Sequence, residues 1–132
     1  MVIEPVAVPL SVCKVTDYAW VDLNAEFCFT GHTNEERSLV CPTHMVPPNT
    51  TARDDGWRAF RIRGELDFST IGIMSSISSR LAQAGIGLFA ISTYNTDYVL
   101  VRADDFERAL AVLRDGGYAV AWDAAPLVPL GA

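Results

Sequence analysis

Basic residues are few in this chain: ten Lys and Arg stand against sixteen Asp and Glu, a formal charge of −6. A broad phosphate-binding face would have to be built against that field, which argues against nucleic acid and anionic membrane as partners. Long apolar runs are missing too. Glu4, Pro5 and Pro9 interrupt the N-terminal segment before a secretory pattern can form, and no uninterrupted apolar stretch approaches bilayer length. The expectation is a soluble, cytoplasmic protein. Asn49-Thr50-Thr51 matches a glycosylation acceptor, but with no secretory signal it is read as empty.

Cysteine and histidine are sparse. Cys13, Cys28 and Cys41 form an odd set without C-x-x-C spacing, each inside a strand-like run, so they read as buried thiols rather than a disulfide framework. Cys41 and His44 have a C-x-x-H spacing with His32 upstream, short of the four ligands of a structural zinc site. A Cys41 nucleophile would need oxyanion donors and an orienting third group, and neither can be identified. Gly85-Ile-Gly87 and Gly116-Gly117 lack the flanks of a phosphate loop and serve better as helix stops. No metal, no cofactor and no catalytic activity is expected.

What the chain does have is apolar content, half of its residues, enough to fill a compact core. Trp57-Arg-Ala-Phe-Arg-Ile-Arg63 alternates, with Phe60 and Ile62 on one face and Arg61 and Arg63 on the other, a half-buried strand that ends at Gly64. From Thr70 the period changes: Ile71, Met74, Ile77, Leu81 and Ala84 form a helical stripe that Gly85 can stop. Gly87 to Ile91 and Tyr98 to Val101 read as two central strands joined by a hairpin over Ser92 to Thr96. Asp104 and Asp105 open a second helix, Phe106, Ala109, Leu110 and Leu113 give its stripe, and Gly116-Gly117 ends it before a last strand, Tyr118 to Trp122. The order β-α-β-β-α-β is the split βαβ pattern of ferredoxin-like α+β folds, with two helices on one face of an antiparallel sheet.

The N-terminal half reads as a worn copy of this unit. Phe27-Cys-Phe-Thr30 and Ser38-Leu-Val-Cys41 lay over Phe89 to Ser92 and Tyr98 to Val101, with Glu35 or Glu36 near the place of Asp97. Leu10 to Val15 is its first strand, Asp17 to Ala25 allows one short helix, and Pro42, Pro47 and Pro48 forbid a long one later. Residues 42 to 56 read as a linker. The expected division is a degenerate unit over 1–55, a full unit over 56–123 and a tail over 124–132.

The stretch from Gly64 to Val101, "GELDFSTIGIMSSISSRLAQAGIGLFAISTYNTDYVLV", together with "SLVCP" and "GWRAFRIRG", resembles the small bacterial ACT-domain proteins built as tandem repeats, whose eukaryotic relatives are the CASTOR-type cytosolic arginine sensors. The resemblance implies a regulatory, non-catalytic protein that binds a small amino-acid-type ligand at the interface between ACT units. Carried onto this chain, it places ligand contacts at Asp67, Phe68, Ser69, Thr70 and Gly72 in the turn entering the first helix, and at Thr93 and Asp97 in the hairpin. Ser38, Leu39 and Val40 would complete the pocket.

The residues support two uses of each position. Unpaired N–H groups at the helix start near Thr70 suit a ligand carboxylate, or Asp67, Ser69 or Thr70 caps them. Asp97 could receive a ligand ammonium through charge-assisted bonds, or bond its own hairpin. A homodimer and an unidentified regulated protein are the expected partners. The alternative reading is a ligand-free interaction module that uses the same fold to assemble.

Overall fold

Residues 1–63 and 72–121 are described by a computed structural model of the chain. They divide into two units: a flanking unit made of Met1–Ala7 and the chain from Ala59 onward, and an inserted unit, Val8–Arg58. The expected division at residue 55 therefore needs a correction at the start of the chain. Strand β1, Val2–Pro5, belongs with the C-terminal part. It pairs antiparallel with the end of strand β5, Ile3 facing Ile62 and Glu4 facing Arg61, and parallel with β8, Val2 facing Ala119. Proline is no obstacle there, because Pro5 closes the strand, while Ile3 is fully buried in the core.

In the flanking unit the chain runs through the end of β5 (Thr50–Ile62), helix α1 (Ile73–Gln83), β6 (Phe89–Ser92), β7 (Asp97–Arg102), a 3-10 turn (Ala103–Asp105), helix α2 (Phe106–Asp115) and β8 (Ala119–Val120). The strands lie in the order β8-β1-β5-β7-β6, so β1 stands between the first and last strands of the expected motif. Ile77 and Leu81 of α1 and Phe106, Ala109, Leu110 and Leu113 of α2 pack against Ile3, Phe60, Ile62, Val99 and Val101 of the sheet. Their spacings are the stripes read from the sequence.

Both helices end in the same way. The N–H of Ile86 reaches the carbonyl of Leu81 while that of Gly85 reaches Ala82, and Tyr118 reaches Leu113 while Gly117 reaches Arg114. This Schellman arrangement needs a left-handed residue, supplied by Gly85 at φ 74° and Gly117 at φ 94°. Helix α1 begins at Ile73, later than the expected Thr70; residues 64–71 lie outside the described residues, as does the expected tail.

The inserted unit contains β2 (Leu10–Val15), β3 (Phe29–His32), β4 (Arg37–Pro42), a 3-10 turn (Thr43–Met45) and the first part of β5, in the order β3-β4-β2-β5 with antiparallel pairing. The expected linker over 42–56 is thus structured, since Thr50 to Asp54 pair with β2. No α-helix forms in the described residues between β2 and β3. Asp17 and Asp22 instead accept the N–H of Ala19 and Asn24, short turns that compete with a helix. Cys13, Val15, Leu39 and Cys41 form the core of this unit, with Tyr18, Val21, Cys28 and Val46 packed on it. The thiols are all free; Cys13 and Cys41 are buried and Cys28 is half-buried. Burial pushes the Cys41 thiol up to about 11, with Cys13 and Cys28 adding to the shift.

The worn copy is visible as topology. In each unit the strands take the order fourth, first, third, second, apart from the added β1. A single offset along the chain carries Phe29–His32 onto Phe89–Ser92, Arg37–Pro42 onto Asp97–Arg102 and Thr43–Met45 onto Ala103–Asp105. The hairpins close alike, Thr33 N–H to the Glu36 carbonyl at 2.9 Å and Thr93 N–H to the Thr96 carbonyl at 2.8 Å. Ser38 stands over Tyr98 as expected. Phe29 rather than Phe27 matches Phe89, and Arg37 rather than a glutamate takes the place of Asp97.

Candidate functional site

Strand period two decides which side chains of the flanking unit can meet. On β5, Phe60 and Ile62 enter the core, so Arg61 projects from the opposite face of the sheet. On β1, Ile3 enters the core and Glu4, the residue paired with Arg61, projects with it. On β7, Val99 and Val101 enter the core, and Tyr98 shares the Arg61 face. Glu4, Arg61 and Tyr98 therefore meet on the face away from the helices.

The contacts there are specific. Arg61 Nη1 donates to the Tyr98 hydroxyl at 2.8 Å, and its guanidinium carbon lies 5.8 Å from the ring centroid. Arg61 Nη2 reaches Glu4 Oε2 at 3.4 Å, and Arg63 Nε donates to Glu4 Oε1 at 2.9 Å. Partial burial opposes the charge on Arg61, but the Tyr98 hydroxyl and the Glu4 carboxylate outweigh it and raise the guanidinium pKa. Two arginines on one glutamate leave this group of three with one positive charge.

The β6–β7 hairpin supplies the rim. Thr93 Oγ1 donates to the Thr96 carbonyl at 3.0 Å, and the buried Thr96 Oγ1 donates to the Ile62 carbonyl at 3.1 Å. The second bond fastens the hairpin to the end of β5. A cavity of about 400 Å³ opens there, walled by Glu4, Arg61 and Tyr98, rimmed by Thr93, Asn95 and Thr96, and floored by Ile62. Its described lining residues all belong to the flanking unit.

The residues singled out in the sequence are distributed differently. Thr93 lines the cavity. Asp97 faces Ser92 across the hairpin and accepts its hydroxyl at 2.6 Å; preceding Tyr98 on the strand, it projects from the helix side of the sheet. Gly72 precedes α1 with φ 90°, offers no side-chain cap, and its carbonyl accepts the N–H of Ser76 at 2.8 Å. Asp67, Phe68, Ser69 and Thr70 lie outside the described residues. Ser38, Leu39 and Val40 stand on β4 of the inserted unit; the Ser38 carbonyl accepts the Tyr18 hydroxyl at 2.9 Å, and Leu39 and Val40 are buried.

Sequence reasoning does not single out Glu4, Arg61, Asn95, Thr96 or Tyr98, which line this cavity. The signal the sequence offers is the alternation of Arg61 with Phe60 and Ile62, which marks the second face of a half-buried strand and no more. Among the described residues no group of three or more His, Cys, Asp or Glu could hold a metal ion.

Comparison with known proteins follows the same lines. The ACT domain family matches residues 52–115. The human protein named cytosolic arginine sensor for mTORC1 subunit 1 is 38% identical over 66 residues, 49% of this chain and 20% of that protein, so the chain spans about a fifth of its length. A crystal structure of an Agobacterium tumefaciens protein superposes with a TM-score of 0.79 at 28% identity, covering 90% of each chain. The regulatory subunit of aspartate kinase from Thermus thermophilus shares the fold, with a TM-score of 0.58 at 10% identity over 86% of this chain and 95% of that one. The fold is the ferredoxin-like ACT fold, and residues 52–115, just under half of the chain, match the ACT domain family.

Proposed function

We propose that the chain is a non-catalytic regulatory protein that senses a small amino-acid-type ligand. The observation that carries this reading is the polar cavity where the Thr96 bond fastens the hairpin to the end of β5. Support comes from the similarity to a protein named as an arginine sensor and from the fold shared with a kinase regulatory subunit. We take the chain to act in the cytoplasm, as a homodimer, on a partner protein still to be identified. Strand β6 pairs only with β7 among the described residues, which leaves an edge for association. No helix among the described residues is long and apolar enough to cross a membrane.

A thermal-shift screen of the full chain against the twenty amino acids, followed by equilibrium dialysis, tests the reading. A ligand at a hundred times its Kd that binds only the native state adds about 2.7 kcal/mol of stability, several degrees in Tm. If no amino acid raises Tm and none is retained on dialysis, the ligand-free interaction module is the better account.

A further inference from the structure

We infer that the cavity on the Arg61 face receives the head group of a free α-amino acid, its carboxylate on Arg61 and its ammonium on Glu4, and that it selects a small polar side chain that is neutral or acidic. The inference rests on the sensing role proposed above and adds the site, the orientation and the ligand class.

Two features of the cavity lead to the head group. Its volume, about 400 Å³, falls within the range of small-molecule clefts. Next, it holds a cation and an anion side by side, joined by their longest contact: Arg61 Nη2 to Glu4 Oε2 is 3.4 Å, whereas Arg61 to Tyr98 is 2.8 Å and Arg63 to Glu4 is 2.9 Å. The two short bonds hold each charged group in place while the long one opens. A zwitterion whose ammonium and carboxylate are carried on one carbon can enter that gap and restore both charges with shorter, charge-assisted bonds. The ion pair it opens is partly buried, 33% exposed at Arg61 and 19% at Glu4, so the ligand's own carboxylate and ammonium have to replace what each side chain gives up.

The remaining lining sets the side chain. Thr93 and Thr96 spend their hydroxyl protons on the Thr96 and Ile62 carbonyls, so both oxygens can act only as acceptors, and that of Thr93 already accepts the Thr96 N–H at 3.4 Å with one lone pair to spare. Asn95 adds an exposed amide with both donor and acceptor. Among the described residues Ile62 is the only aliphatic one of the lining, so a bulky aliphatic ligand side chain would find little to bury against there. Glu4, Arg61 and Arg63 together carry one positive charge, which disfavours a cationic side chain.

Isothermal titration of the full chain with each of the twenty amino acids, at low salt, decides the matter. Serine, threonine, asparagine, glutamine, aspartate and glutamate form the group expected to contain the tightest ligand, with arginine and lysine weaker. For that ligand, R61K, which keeps the charge but not the two-pronged geometry, and E4Q should each weaken binding by at least about tenfold. Its N-acetyl and carboxamide derivatives should lose a comparable factor on the wild-type chain, a measurement independent of how the variants fold. If an amino acid binds but R61K and E4Q titrate as wild type, or blocked and free forms bind alike, the site is overturned and the sensing role stands. Loss of binding in D97N with E4Q unaffected would likewise overturn it, moving the ammonium to the hairpin aspartate. If none of the twenty binds, both fall.

Discussion

Thr96→Val replaces one hydroxyl by a methyl and tests how the hairpin is fastened. The side chain is 7% exposed and its hydroxyl donates to the Ile62 carbonyl at 3.1 Å. Valine has nearly the same shape, so no cavity forms; what changes is that a buried carbonyl loses a donor. A typical net hydrogen bond contributes about 0.5–1.5 kcal/mol, and leaving its partner buried and unsatisfied costs about 1–3 kcal/mol. The extra buried methyl offsets part of this, so the expected loss is about 1–2 kcal/mol. Thr96→Ser keeps the donor and loses one methyl, about 0.8 kcal/mol. Urea unfolding followed by tryptophan fluorescence, with ΔG from linear extrapolation at an unchanged m-value, gives both numbers. T96V as stable as wild type, or T96S the weaker of the two, would refute the reasoning.

Leu110→Ala empties a fully buried position between α2 and the sheet and should cost about 2–5 kcal/mol, measured by the same unfolding curves. In native protein at pH 8, mass-spectrometric mapping of iodoacetamide labelling should find Cys41 among the slowest thiols and the half-buried Cys28 the fastest, a difference that disappears in urea. Because Cys41 is raised from 9.0 to about 11 in the fold, its neutral form contributes stability that is fully present below pH 9.0. That contribution is lost as pH rises toward 11, and a Cys41→Ala variant should show a flatter decline over the same window.

Where one face of an element is buried and the other wet, the sequence is easily read. The alternation from Trp57 to Arg63, the stripe through Ile77 and Leu81, and the helix stops at Gly85 and Gly117 all reflect a core on one side and water on the other. Leu10–Val15 was legible for the same reason, its ends matching the expected strand. The first part of β5 was not, because Thr51 to Gly56 are exposed and held mainly by backbone pairing with β2, which leaves no apolar signature. Strand β1 was hidden by Glu4 and Pro5, residues that look like breaks until Glu4 is seen to face Arg61.

The candidate site suffered from the same difficulty. Asp97 stood out because it opens a buried strand, yet strand alternation sends it to the face opposite Tyr98, where Ser92 holds it. Glu4 came from the far end of the chain through a strand pairing that local pattern could not reveal. Of the cavity's lining, only Thr93 is singled out from sequence, although Asn95 and Thr96 stand on the same hairpin.

The most direct test of the account is an amide NMR titration of the full, ¹⁵N-labelled chain with the tightest amino acid from the screen. Shifts that saturate together at Ile62, Thr93, Asn95, Thr96 and Tyr98, with smaller changes at Ser92 and Asp97, are the result expected. Saturating ligand that leaves those five amides unmoved while shifting another part of the chain would contradict it.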